Sequence, residues 1–122
     1  MIKIFGVMLV CLLLSAVACA QSPVELWKAN MLSYGEKYCE SSDNYYDGAR
    51  VYYQIAQYTG NAKWERCAEI ALGAYLDGYL IPNNYGAAGW WIFPHGLLIN
   101  YQRTGSEEAQ KALVGLAERP AY

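Results

Sequence analysis

Past the first twenty residues the chain has no long uncharged apolar run, no cluster of lysine and arginine, and a single histidine. The first absence excludes a membrane span from that region, because a crossing helix needs about 20 consecutive apolar residues. The second argues against nucleic acid as a partner. Nine lysines and arginines stand against eleven aspartates and glutamates, and none are grouped to neutralise phosphates. One histidine and two downstream cysteines offer no recognisable metal-ligand spacing, and no cofactor is expected. What the chain does hold is twelve tyrosines and four tryptophans. These side chains join a flat apolar face to a polar tip, which suits core packing and also surfaces that bind partly polar ligands.

Residues 1–20 read as an address. Lys3 gives the positive flank, Val7 to Leu14 an uncharged apolar core, and Ala18-Cys19-Ala20 a small-residue cleavage site before Gln21. The expected product is an exported domain over 21–122. Ala16-Val17-Ala18-Cys19 also resembles a bacterial lipobox, with alanine where leucine is usual. In that alternative Cys19 carries a lipid anchor, which tethers the chain to a membrane without spanning it. Cys39 and Cys67 form an even pair, which in an exported protein invites a disulfide. Helix topology argues the other way. Cys39 closes one helix and Cys67 opens another expected to run parallel to it, so their Cα atoms would lie beyond the ~7 Å bridging limit. Both outcomes stand at this point.

Tyr58-Thr59-Gly60-Asn61 recurs as Arg103-Thr104-Gly105-Ser106, forty-five positions later. Each copy separates an apolar run from an amphipathic one, the mark of stacked helical hairpins that cannot bury their apolar faces singly. Ser22-Pro23-Val24-Glu25 combines a cap, a first-turn proline and a returning carboxylate, which predicts a helix from there to about Glu40. A second helix, from Tyr45 or Tyr46 to Tyr58, is apolar on most sides and is expected to be an inner one. Its narrow polar stripe is Asp47, Arg50, Gln54 and Gln57. The third, about 62–79, has one solvated side and is expected outside. A long connection over 80–93 leads to a short helix from Pro94 and a last one after Ser106. The expectation is an all-α fold with about two and a half antiparallel hairpins, completed by more chain or by a second copy.

An inner helix of small and aromatic residues, a Tyr-Thr-Gly-Asn-x-x-Trp turn and an outer amphipathic helix resemble the hairpin unit of (α/α) toroids. That superfamily includes six-hairpin glycosidases, unsaturated-uronyl hydrolases, polysaccharide lyases and sugar epimerases. The resemblance covers roughly 22–118. It implies a carbohydrate-active protein, a glycoside hydrolase or polysaccharide lyase acting on oligo- or polysaccharide, with substrate at the end where inner-helix N-termini gather. The alternative is a non-catalytic helical-repeat binding or scaffold protein.

Carried onto this chain, that end holds Asp43, Asn44, Tyr45, Tyr46 and Asp47, with Asn83, Asn84, Tyr85, Trp90, Trp91, Phe93 and His95 from the second loop. Glycoside cleavage needs a carboxylic acid and commonly a second carboxylate. Asp43 and Asp47, one turn apart, are the candidates, each with a plain alternative as a turn or cap residue. His95 matches Arg50 across the repeat and is a candidate base or hydroxyl ligand, against a packed helix-start histidine. Tyr45, Tyr46, Arg50, Asn84, Tyr85, Trp90 and Trp91 are the candidate substrate contacts. Arg50 also has a structural reading, as an intrahelical partner of Asp47.

Overall fold

The computed structural model describes residues 21–41 and 46–119. Residues 1–20, on which the expected export signal and Cys19 fall, lie outside the described residues, as do Asp43, Asn44 and Tyr45. The chain divides into two compact units, 1–30 and 31–122. Helix α1 (Pro23–Tyr38) contributes to both. In the first unit it opens with reciprocal bonds: the Glu25 amide donates to Ser22 Oγ (3.2 Å) and the Ser22 amide to Glu25 Oε2 (2.9 Å). That is the capping pair the sequence announces.

The second unit carries α2 (Gly48–Thr59), α3 (Lys63–Tyr75), α4 (Pro94–Thr104) and α5 (Glu107–Glu118). No strand occurs among the described residues. The protein is all-helical there, and α2 packs on α3, α4 on α5, and α2 on α4. The shared core runs from Tyr52, Ile55 and Ala56 through Trp64, Ala68 and Leu72 to Leu80, Leu97, Ala109 and Ala112. Leu80 and Leu97 are fully enclosed, and each such side chain contributes about 1.5–3 kcal/mol of burial.

Both Thr-Gly turns are built alike. Thr59 Oγ1 donates to the Ile55 carbonyl (2.7 Å) and Thr104 Oγ1 to that of Asn100 (2.8 Å). The amides of Asn61 and Ser106 then donate to the same hydroxyls. Gly60 and Gly105 sit at φ 66° and 71°, in the left-handed region that ends a helix cheaply only at glycine. The repeat therefore reaches down to single hydrogen bonds.

Two expectations change. The helix before the first turn is not enclosed: Gln54, Gln57 and Tyr58 of α2 are exposed, just as Lys63, Arg66 and Glu69 of α3 are. The inner–outer contrast read from composition does not separate these two helices. Cys39 and Cys67 are joined, with Cα atoms 4.9 Å apart. The geometric objection assumed that α1 and α3 lie with their ends level. Instead the last turn of α1 lies beside the first turns of α3: Gly35 rests on the Trp64 ring and Glu36 pairs with Lys63. The offset brings a helix end to a helix beginning.

Past Tyr75, α3 widens into a π-helical turn, Leu76–Leu80, closed by Ile81 N to Leu76 O at 2.9 Å. The connection then passes through Asn84 and Tyr85, both at positive φ (50° and 61°). A short 3₁₀ turn at Gly89–Trp91 leads to Pro94, at the first position of α4.

Candidate functional site

The N-termini of α2 and α4 meet at Asp47. It is buried, and its two carboxylate oxygens are both used. Oδ1 accepts from the Arg50 amide (3.0 Å), capping α2, and Oδ2 accepts from the Gly96 amide (2.9 Å) in the first turn of α4. One carboxylate thus satisfies free N–H groups at two helix starts, where backbone dipoles favour negative charge. Glycine at 96 is what permits this. A Cβ there would lie 2.5 Å from Asp47 Oδ1 and 2.7 Å from the Ala49 Cβ. Of the two readings of Asp47, this geometry is that of the cap.

The gap enclosed by Tyr46, Asp47, Tyr75, Phe93 and Leu97 is about 10 Å³, at the lower limit for one water molecule. No sugar ring enters there. Arg50 does not form the expected side-chain pair with Asp47. Its backbone amide makes that contact, while its Nε is buried and has no hydrogen-bond partner among the described residues.

The second loop is held by two tyrosines, Tyr75 at the end of α3 and Tyr79 in the π-helical turn that follows it. The Tyr75 hydroxyl donates to the Trp91 carbonyl (2.6 Å) and accepts from the Phe93 amide (3.1 Å). The Tyr79 hydroxyl accepts from the Ala88 amide (3.3 Å). Ring contacts run along the same line: Phe93 to Tyr75 at 5.3 Å, Tyr75 to Tyr79 at 6.0 Å, Tyr79 to Trp91 at 4.7 Å edge-on. Burial pushes the Tyr75 phenol up to about 12. The Phe93 N–H bond works against that rise, and the Tyr79 and Asp47 charges add to it. Burial, then the Tyr46 charge, raises Tyr52 to about 12 as well.

The two adjacent tryptophans therefore part company. Trp91 is packed on Tyr79, whereas Trp90 is 76% exposed on a backbone fixed at both sides. Tyr46 and His95 are exposed too. Asn84 and Tyr85 turn to a different surface, a groove of about 450 Å³ along α5 that Gln110, Lys111 and Val114 also line. Tyr85 packs into the space left by Gly115, and Arg119 donates to the Asn84 carbonyl (2.5 Å). The sequence-derived site is thus divided between the Asp47 end and the α5 groove.

Sequence reasoning missed Gly96, Tyr75 and Tyr79 as positioning residues. The tyrosines carried a partial signal, lying four apart on the apolar face expected of the third helix, but their partners come from a loop without periodicity. Among the described residues no group of three acidic, histidine or cysteine side chains could hold a metal, and no helix is long and apolar enough to cross a membrane. Comparison with protein-family models, with curated proteins and with solved structures gave no match to this chain.

Proposed function

We propose that this chain is an exported, carbohydrate-active protein of the (α/α) toroid type, part of a glycoside hydrolase or polysaccharide lyase, which contacts glycan through the loop around Trp90. The observation that carries the reading is Trp90 itself. A large indole is held 76% exposed on a loop whose carbonyl and amide groups are pinned by Tyr75. Exposing such a ring forfeits burial energy, and a fixed flat apolar face suits stacking on a sugar ring. The hydrogen-bonded identity of the two Thr-Gly turns supports the repeat architecture. The Cys39–Cys67 bond supports export.

A second reading, a non-catalytic binding module, is favoured by one observation. Asp47 is buried and each of its oxygens accepts a backbone N–H at a helix start, an arrangement that holds the carboxylate ionised as a cap rather than as a proton donor. In the enzyme reading, Asp43 or carboxylates supplied by further hairpins carry the acid role.

Titration with a panel of neutral and acidic oligosaccharides, followed by calorimetry, tests the site. Trp90→Ala should weaken binding about tenfold, ~1.4 kcal/mol, with the helical circular dichroism unchanged. Equal affinity in this variant, or no heat with any glycan, would remove the proposal.

A further inference from the structure

The Cys39–Cys67 bond ties the end of α1 to α3, and both cysteines border a groove of about 400 Å³. Cys67 is buried, while Cys39 is half-buried on the open side. Lys37, Lys63 and Arg66 line the same groove, against two carboxylates, Glu36 and Glu40. A small anionic nucleophile therefore has both a path and a favourable charge balance.

The non-covalent contacts of this part of α1 are modest. Tyr52 donates to the Gly35 carbonyl (3.1 Å), Met31 and Leu32 pack half-buried on the core, and Glu36 pairs with Lys63 at the surface. Exposed ion pairs of that kind contribute about 0–1 kcal/mol. Beneath the segment lie Trp64 and Tyr52, whose rings stack at 6.2 Å. Trp64 is 1% exposed, and Gly35 covers it: a Cβ on Gly35 would meet the indole at 2.9 Å.

We propose that Cys39–Cys67 is a thiol-exchange clasp, opened by low-molecular-weight thiols, that controls whether the Met31–Cys39 segment covers the Trp64–Tyr52 surface. A thiolate attacks Sγ of Cys39, forming a mixed disulfide and expelling Cys67 as a thiolate. A second thiolate then attacks the mixed disulfide at the sulfur of the small thiol. That releases Cys39 as a thiolate and leaves the small thiol oxidised to its own disulfide, so two electrons pass to the protein. The opened segment keeps its backbone helix bonds but loses its covalent tie, and the stacked pair becomes accessible. This inference is independent of the carbohydrate reading.

The test is reduction of the native protein with dithiothreitol or glutathione, without denaturant. Thiol counting, circular dichroism and residue-resolved hydrogen exchange are the readouts. Two thiols should appear while α4 and α5 keep their protection, and amides of 31–38 should exchange at least about tenfold faster. The indole emission should shift to the red, and Trp64→Phe should remove that shift. A Cys39→Ser/Cys67→Ser variant should show the fast exchange with or without thiol. Three results overturn the clasp: thiols appear only after denaturant is added, the reduced protein protects 31–38 as before, or reduction unfolds α4 and α5 together with α1.

Discussion

Gly96→Ala should destabilise the helical bundle by about 3 kcal/mol, with a fall in melting temperature of roughly 10–20 °C for a domain of this size. The added methyl would sit 2.5 Å from Asp47 Oδ1, 2.7 Å from the Ala49 Cβ and 3.0 Å from the Arg50 amide nitrogen. Two of these three neighbours belong to the backbone or to a side chain with no freedom to swing aside. The first turn of α4 must then withdraw from α2, which lengthens the bond from the Gly96 amide to Asp47. Overpacking and an under-satisfied buried amide thus act together.

Asp47→Ala should cost about 2–3 kcal/mol by a different route, through loss of the α2 cap and of the acceptor for Gly96. Because both substitutions act on the same contact, their double variant should lose less than the sum. Urea unfolding of the four proteins measures this. Strict additivity, or a Gly96→Ala effect below about 0.5 kcal/mol, would mean that the two helix starts do not approach as described.

Tyr75→Phe should cost about 2 kcal/mol and loosen the loop that presents Trp90. The ring and its contacts with Phe93 and Tyr79 persist, but the Trp91 carbonyl and the Phe93 amide lose their shared partner. The hydroxyl also gives a pH signature. The folded-state phenol is raised from 10.0 to about 12, chiefly by burial. A group raised on folding contributes stability that is complete below its unfolded value and is lost as pH rises through the folded one. Stability should therefore fall between pH 10 and about 12, with Tyr52 adding to the slope in the same window. Tyr75→Phe should flatten that slope and Tyr52→Phe should flatten it further. Denaturant midpoints measured across the alkaline range decide the matter, and an unchanged slope in the double variant would refute the assignment.

Much of the local structure was legible because it is decided within a few residues. Ser22 and Glu25 find each other across one turn, and Thr59 with Gly60 closes a helix through bonds reaching four positions back. Pro94 starts α4 for a reason internal to its ring. Such contacts cost little chain entropy, so spacing alone predicts them. The site was less legible. Spacing leaves Asp47 as either cap or acid, and its second partner is forty-nine residues away and carries no side chain. A glycine that matters because something approaches it leaves no periodic trace. Trp90 and Trp91 are neighbours of identical chemistry, and no sequence rule separates the packed indole from the exposed one.

By itself, then, the sequence determined the helices, their caps and the repeated turn, since all of these arise from hydrogen bonds and periodicity along the chain. Tertiary structure alone decided that α1 lies offset enough for Cys39 to reach Cys67, that Asp47 joins two helix starts, and that Tyr75 pins the aromatic loop. Each of these depends on the distance between segments remote in sequence, a quantity set by how side-chain volumes pack rather than by the order of residues along one helix.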